Sequence, residues 1–210
     1  MEYYFDEQLA TGDAFKPITG NAAVDTDILT AAGITTVAKD NVSYGGKNYA
    51  LDKVENTTTG KVVAGDVSAN TVKIYYLPDT TGTKTPDAYE ATVIYQISGG
   101  TWKDKTGNDA EKDQTVYVPM STWDDTKQEW VPRTGEVKPT SIPDGTRNTD
   151  NTNPGTWGKG EVSGKTNAAN ATNPADQVLT SEKVYIFKLT FEPLEAKIEI
   201  PNGDASINAN

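Results

Sequence analysis

Alternation of apolar and polar residues with a period of two is the feature that most constrains this fold. It runs through Asn70–Leu77, Ala91–Ile97, Val184–Phe191 and Leu194–Ile200. In the last of these segments, apolar residues at 194, 196, 198 and 200 alternate with charged ones. Because successive side chains of a strand point to opposite faces, each segment predicts a strand with one buried and one wet face.

Weaker strand signals occur at Glu2–Phe5, Asn48–Glu55 and Thr115–Val118, and a further candidate strand is Gly60–Ala64. Thr, Val, Ile and Tyr favour such pleated, half-buried surfaces. The sequence therefore predicts a mainly β protein with short helices, an α+β chain.

Two short helical segments are predicted from capping residues. The first is capped by Asp25 or Thr26 and ends at Gly33. The second is a helical turn at Ser121–Gln128, where Asp124 and Asp125 suit a first turn.

Composition excludes several classes of function. The 19 Lys and Arg against 30 Asp and Glu give a net charge of -11, which argues against nucleic acid and anionic lipid and favours a soluble monomer. With no His and no Cys, the chain lacks the commonest general base and all thiol chemistry. No run approaches the roughly 20 apolar residues of a membrane span, so this segment is not expected to insert into a membrane.

A polar segment, Pro78–Asp87, separates two strands and contains no large apolar side chain. It predicts an interdomain linker at 78–88 between modules 1–77 and 89–200, followed by a flexible tail at 201–210. The second module holds a long polar insert at 139–176, which we expect to be a surface excursion. The start of the chain is not a signal peptide, so export and anchoring signals are expected outside this segment.

The two predicted modules resemble repeats of Gram-positive surface proteins. In the second module, the motifs that carry the resemblance are the strand Ala91–Tyr95, the turn Gly99–Trp102, the later Gly155–Trp157 and the closing strand Tyr185–Leu189. They resemble the Listeria–Bacteroides, or internalin B-repeat-like, group. In the first module, aromatic segments are similar to those of mucin-binding (MucBP-like) repeats; they are Tyr3–Asp6, Tyr49–Leu51 and Val72–Tyr76.

This resemblance implies tandem β-grasp-like modules, in which a mixed sheet curls over one short helix. It also implies an extracellular location, attached to the bacterial cell wall, with neighbouring repeats of the same protein as partners.

Candidate catalytic or metal-binding groups are few. Asp124 and Asp125 could serve acid/base chemistry or bind calcium, but a solvated helical turn explains them better, because adjacency does not place two carboxyls across a cleft. The oxygen-rich run Asp144–Asn151 lacks the spacing of a calcium loop. Gly45-Gly46 and Gly99-Gly100 predict turns. We expect no catalytic residue, no cofactor and no metal.

The second module contains four tryptophans, at Trp102, Trp123, Trp130 and Trp157. Aromatic faces exposed on a surface suit sugar binding. The alternative is that Trp102 and Trp157 pin hairpins to the core while Trp123 and Trp130 cover the helix.

The sequence therefore predicts a non-enzymatic stalk or spacer segment of a cell-surface adhesin. The alternative is a binding module for host mucin, another glycoprotein or a glycan.

Overall fold

The computed structural model describes residues 1–15, 20–31, 37–56, 60–65, 68–103, 109–110, 113–147, 155–166, 171–181 and 183–192. These residues are built mostly from strands, so the mainly β prediction is confirmed. The strands are β1 (Glu2–Phe5), β2 (Gln8–Leu9), β3 (Val42–Tyr44), β4 (Lys47–Asn56), β5 (Val72–Pro78), β6 (Glu90–Ser98), β7 (Gly100–Lys103), β8 (Asp109–Ala110), β9 (Gln114–Pro119), β10 (Ser121–Asp124), β11 (Glu129–Pro132), β12 (Gly145–Arg147), β13 (Thr156–Trp157), β14 (Glu161–Val162), β15 (Lys165–Thr166) and β16 (Val184–Thr190).

Helical structure in this described part is limited to single turns. The α-helix α1 spans Ile28–Ala31, and 3-10 turns lie at Asp13–Phe15, Ser68–Asn70, Asp87–Tyr89 and Pro174–Asp176. The Asp27 side chain accepts the Thr30 N–H at 2.8 Å, so Asp27 supplies the cap that the prediction assigned to Asp25 or Thr26. The predicted end of this helix, Gly33, lies outside the described residues.

The first sheet has the strand order β10-β11-β4-β5-β1-β2, with β3 paired to β4. β1 and β5 run parallel at its centre, from Glu2 opposite Lys73 to Phe5 opposite Tyr76. Alternate residues of β4 and β5 form the core beneath this sheet, as the period-two pattern predicts. Its buried members include Phe5, Tyr49, Leu51, Val72, Ile74 and Tyr76.

The second sheet has the order β15-β14-β16-β6-β9, with β13 also paired to β16. β6 and β16 run parallel along seven positions, from Thr92 opposite Val184 to Ser98 opposite Thr190. A small third sheet, β12-β7-β8, lies beside it. The second core is separate from the first and includes Val93, Tyr95, Trp102, Tyr185, Phe187 and Leu189.

Most predicted strands occur where the alternation placed them. The exceptions are Gly60–Ala64, where only Lys61 forms a bridge, to Asp27, and Leu194–Ile200, which lies outside the described residues.

The predicted helical turn at Ser121–Gln128 is wrong, because these residues begin the hairpin β10–β11. Asp124 accepts the N–H groups of Thr126 and Lys127 at 2.9 and 3.1 Å. A short acidic side chain closes a loop in the same way as it caps a helix. The local sequence therefore fits both structures, and the pairing of Trp123 with Trp130 across the hairpin distinguishes them.

The expectation that 139–176 is a surface excursion is wrong for its described part. β12, β13 and β14 come from this tract, and its few apolar residues Ile142, Trp157 and Val162 pack against the second core. Glycine makes this contact feasible, since a Cβ at Gly160 would lie 2.5 Å from the Phe187 ring. A polar tract can thus cover a core where glycine backbone, which carries no side chain, packs directly on aromatic rings.

Candidate functional site at the junction of the two sheets

The segment between β5 and β6 is an ordered loop centred on a buried carboxylate. Asp79 is 2% exposed and accepts the N–H groups of Gly82 and Lys84 at 2.8 and 3.1 Å. It also accepts the Thr81 hydroxyl at 3.2 Å. A carboxylate that collects several N–H groups holds a loop in one conformation, because each orphan donor gains a strong acceptor.

Two further carboxylates complete this loop, which we call the acid–threonine loop (residues 79–90). Asp87 accepts both the backbone N–H and the hydroxyl of Thr80, at 2.9 and 2.6 Å. Glu90, only 5% exposed, accepts the hydroxyls of Thr81 and Thr83. Burial raises the pKa of Glu90, the negative charges of Asp79 and Asp87 raise it further, and the two threonine hydroxyls oppose the shift.

A β-bulge in β4 brings the first sheet into contact with this loop. The register between β4 and β5 shifts at Asp52, between Leu51 and Lys53. Bulges re-aim side chains, and here the Asp52 carboxylate accepts the Tyr89 hydroxyl at 2.5 Å. The Asp79 N–H donates to the Asn48 carbonyl at 3.0 Å, which attaches the other end of the loop to the same strand.

The β10–β11 hairpin adds a second attachment to β4. Glu129 pairs with Lys53, and the Val54 N–H donates to the Gln128 carbonyl at 2.9 Å. The Trp130 indole N–H donates to the Leu51 carbonyl at 2.7 Å. The Trp130 ring also stacks on Tyr89, with ring centroids 5.9 Å apart. Hydrogen bonding therefore crosses the predicted boundary between modules, since the hairpin follows β9 in the chain but belongs to the first sheet.

A cleft of about 300 Å³ opens beside this contact. It is lined by Lys39, Asp40, Leu51, Lys84, Trp123 and Trp130. The Lys39 ammonium lies 5.2 Å from the Trp123 ring centroid and 2.7 Å from Asp125, and it lowers the pKa of the Asp125 carboxyl. Lys84 pairs with Asp40 at 2.8 Å, so each lysine that borders the cleft has a carboxylate partner.

The other two tryptophans belong to the second core or pack against it. Trp102 is fully buried, and its ring stacks against that of Trp157 with centroids 5.9 Å apart. Trp157 is partly exposed and borders an open groove with Thr172, Asn173 and Asp176. A ligand on the surface can therefore meet Trp123, Trp130 or Trp157, but not Trp102. Neither Trp123 nor Trp130 covers a helix, because both stand on the hairpin.

The predicted carboxylate candidates do not form a catalytic pair. Asp124 closes the hairpin loop and Asp125 pairs with Lys39. Of the run Asp144–Asn151, residues 145–147 form β12, and 148–151 lie outside the described residues. Within the described ranges, no group of three or more Asp or Glu side chains is arranged to hold a metal ion.

The sequence interpretation missed the carboxylates and hydroxyls of the acid–threonine loop. Asp, Thr and Gly in close succession form side chain-to-backbone turns, and this pattern was the signal for an ordered loop. Glu90, the one charged residue of β6, was a second signal.

Comparison with known proteins found no matching protein family, no matching curated protein and no matching solved structure. In the described ranges, none of the helices has the length and apolar character needed to cross a bilayer.

Proposed function

We propose that this chain is a non-catalytic structural spacer of a bacterial cell-surface adhesin, built from two tandem β-grasp-like modules. The observation that carries the proposal is the parallel pairing of β1 with β5 and of β6 with β16. Because β1 runs in the same direction as β5, and β6 in the same direction as β16, the chain enters each parallel pair at one end and leaves it at the other. Such a module extends the path of the chain instead of folding it back.

The strand lengths set the reach of each module. β5 has 7 residues and β6 has 9, which correspond to roughly 23 and 30 Å at about 3.3 Å per residue. A repeat that adds a few tens of ångströms suits a stalk that holds another domain away from a cell.

The β-grasp-like and α+β description rests on the mixed sheet of each module and on α1 in the first. Its supports are the similar central pairing of the two sheets and the resemblance to MucBP-like and internalin B-repeat-like modules. The same resemblance, with a chain free of cysteine, supports a location on the wall of a Gram-positive bacterium.

Solution scattering tests the spacer proposal. We expect an elongated particle whose pair-distance distribution shows two bodies along one axis. A distribution typical of one compact sphere would contradict the proposal.

The cleft between Lys39 and Trp130 favours a second candidate function, the binding of a neutral glycan. Two tryptophans offer apolar faces to sugar C–H groups, and Asp40 and Lys84 offer hydrogen-bonding groups at the rim. Lysines already paired with carboxylates do not attract an acidic sugar, so a neutral one fits better.

Glycan-array binding tests this second candidate. Trp123→Ala should abolish binding if the cleft holds the glycan, whereas Trp157→Ala, a partly exposed tryptophan away from the cleft, should leave it unchanged. Equal loss in both variants, or no binding by the unmodified protein, would contradict a glycan site in the cleft.

A further inference from the structure

The same parallel strand pairs determine how the chain responds to tension. When the two ends of the chain are pulled apart, β6 is drawn toward its first residue, Glu90, and β16 toward its last, Thr190. In a parallel pair these directions are opposite, so the strands must slide past one another. All the hydrogen bonds between them then share the load, whereas pulling two adjacent ends apart breaks the bonds one after another.

Both pairs lie inside their sheets. β6 and β16 are flanked by β9 and β14, and β1 and β5 are flanked by β2 and β4. Side chains on one face of the second pair are fully buried, among them Val93, Tyr95, Tyr185 and Phe187. A pair enclosed in this way is protected from water, which otherwise competes for strained backbone hydrogen bonds.

The junction is suited to pass the load from one module to the next. The acid–threonine loop is short and is hydrogen-bonded through Asp79, Asp87 and Glu90. It is also attached to β4 through Tyr89 and Asp52.

We infer that β1–β5 and β6–β16 are mechanical clamps, and that the chain bears tension along its length. This inference rests on the proposed spacer function, because it requires the chain to be loaded from its two ends. β6–β16 is the stronger clamp, since it has seven register positions and β1–β5 has four.

Single-molecule force measurements on the full chain test the inference. The sequence has no cysteine, so one introduced thiol defines where force is applied. One handle is fixed at the amino terminus, and the second is placed at Glu192→Cys or at Lys183→Cys. Both positions are exposed charged residues just outside β16, and both variants should have the same denaturation midpoint.

Only the loading of the second module differs between the two variants. When force is applied at residue 192, the strands β6 and β16 are sheared along their length. When force is applied at residue 183, the pair is peeled open from the end at which both strands begin. We expect the rupture force of the second module to fall by about twofold or more in Lys183→Cys, because a peeled pair has a lower barrier to forced unfolding. The β1–β5 event should be unchanged and serves as an internal control.

Equal rupture forces for the second module in the two variants would overturn the inference. That failure would leave the spacer proposal standing, since scattering measures shape without load. Conversely, a compact particle with direction-dependent rupture would reject the spacer function, and the β6–β16 pair would then resist shear without serving in a stalk.

Discussion

Glu90 shows how a single buried residue makes the stability of the junction depend on pH. Its carboxyl is almost inaccessible to solvent, and burial is the main reason that its pKa is raised above the ordinary 4.5. Between the ordinary and the raised pKa, the folded chain holds a proton that the unfolded chain has released. Stability contributed by this residue is therefore present at low pH and falls as pH rises through that window.

Replacing Glu90 with glutamine should remove this pH dependence. We expect Glu90→Gln to be more stable than the unmodified protein at pH 7, because an uncharged amide relieves the desolvation and the repulsion from Asp79 and Asp87. The difference should vanish as the pH falls below the ordinary carboxyl pKa. Chemical denaturation at a series of pH values from about 4 to 7, the range in which shifted carboxyls titrate, measures this difference in the free energy of unfolding.

The exposed ion pair of Asp125 provides the control for this measurement. Lys39 lowers the pKa of Asp125, so Asp125→Asn should be less stable than the unmodified protein at pH 7, the opposite sign. A Glu90→Gln variant that is destabilised at neutral pH would contradict the assignment of Glu90 as a buried charge.

Gly100 illustrates a residue whose role the sequence only partly indicated. Gly45 and Gly46 form the predicted turn between the paired strands β3 and β4, with φ of 57° and 77°. Gly99, with φ of 76°, bends the chain between β6 and β7, which lie in different sheets. Gly100 is required for another reason. A Cβ there would lie 2.4 Å from the Thr146 carbonyl oxygen and 2.7 Å from the Phe191 ring.

We predict that Gly100→Ala destabilises the second module by about 1–3 kcal/mol, the usual cost of overpacking. Gly20→Ala is the matched control, since a Cβ at Gly20 meets no atom within 4 Å and its φ is not positive. Denaturation midpoints measure both variants. An unchanged midpoint for Gly100→Ala would contradict this prediction, because it would show that β7 and β12 can move apart without a loss of stability.

At the scale of elements, the docking of the β10–β11 hairpin on β4 could not be predicted from the sequence. Alternation predicts that a segment is a strand, but not which distant strand it joins. The docking contacts lie at the bulge in β4, where the Leu51 carbonyl accepts the Trp130 indole N–H and the Asp52 carboxylate accepts the Tyr89 hydroxyl.

Trp130→Phe tests this docking. The change removes the indole N–H and leaves the Leu51 carbonyl without that donor, which should cost about 1–3 kcal/mol. We expect faster hydrogen exchange at the Val54 amide, which donates to Gln128 of the hairpin.

Trp123→Phe is the control for the docking experiment, because the Trp123 N–H donates to Asp125 within the hairpin. Val54 exchange should stay slow in this variant. Equal acceleration in both variants would mean that the hairpin is held by ring packing and not by the Trp130 hydrogen bond.

At the scale of the whole molecule, the sequence predicted the strands and the two cores better than it predicted their connection. Buried alternation is a local property, so β4, β5, β6 and β16 could be placed from their own residues. The junction depends on contacts between residues far apart in the chain, such as Asp52 with Tyr89. The close succession of Asp, Thr and Gly indicates an ordered loop, but not the distant strand to which that loop is attached.

The spacer proposal depends on the junction, and from its hydrogen bonds and docked hairpin we propose that the two modules form one rigid unit. The most direct test is the distance distribution between spin labels at Ser43→Cys and Thr115→Cys, two exposed positions on β3 and β9, at edges of the two different sheets. We predict one narrow peak, and a broader one when Trp130→Ala is added. A broad distribution in the labelled protein that lacks Trp130→Ala would contradict the claim.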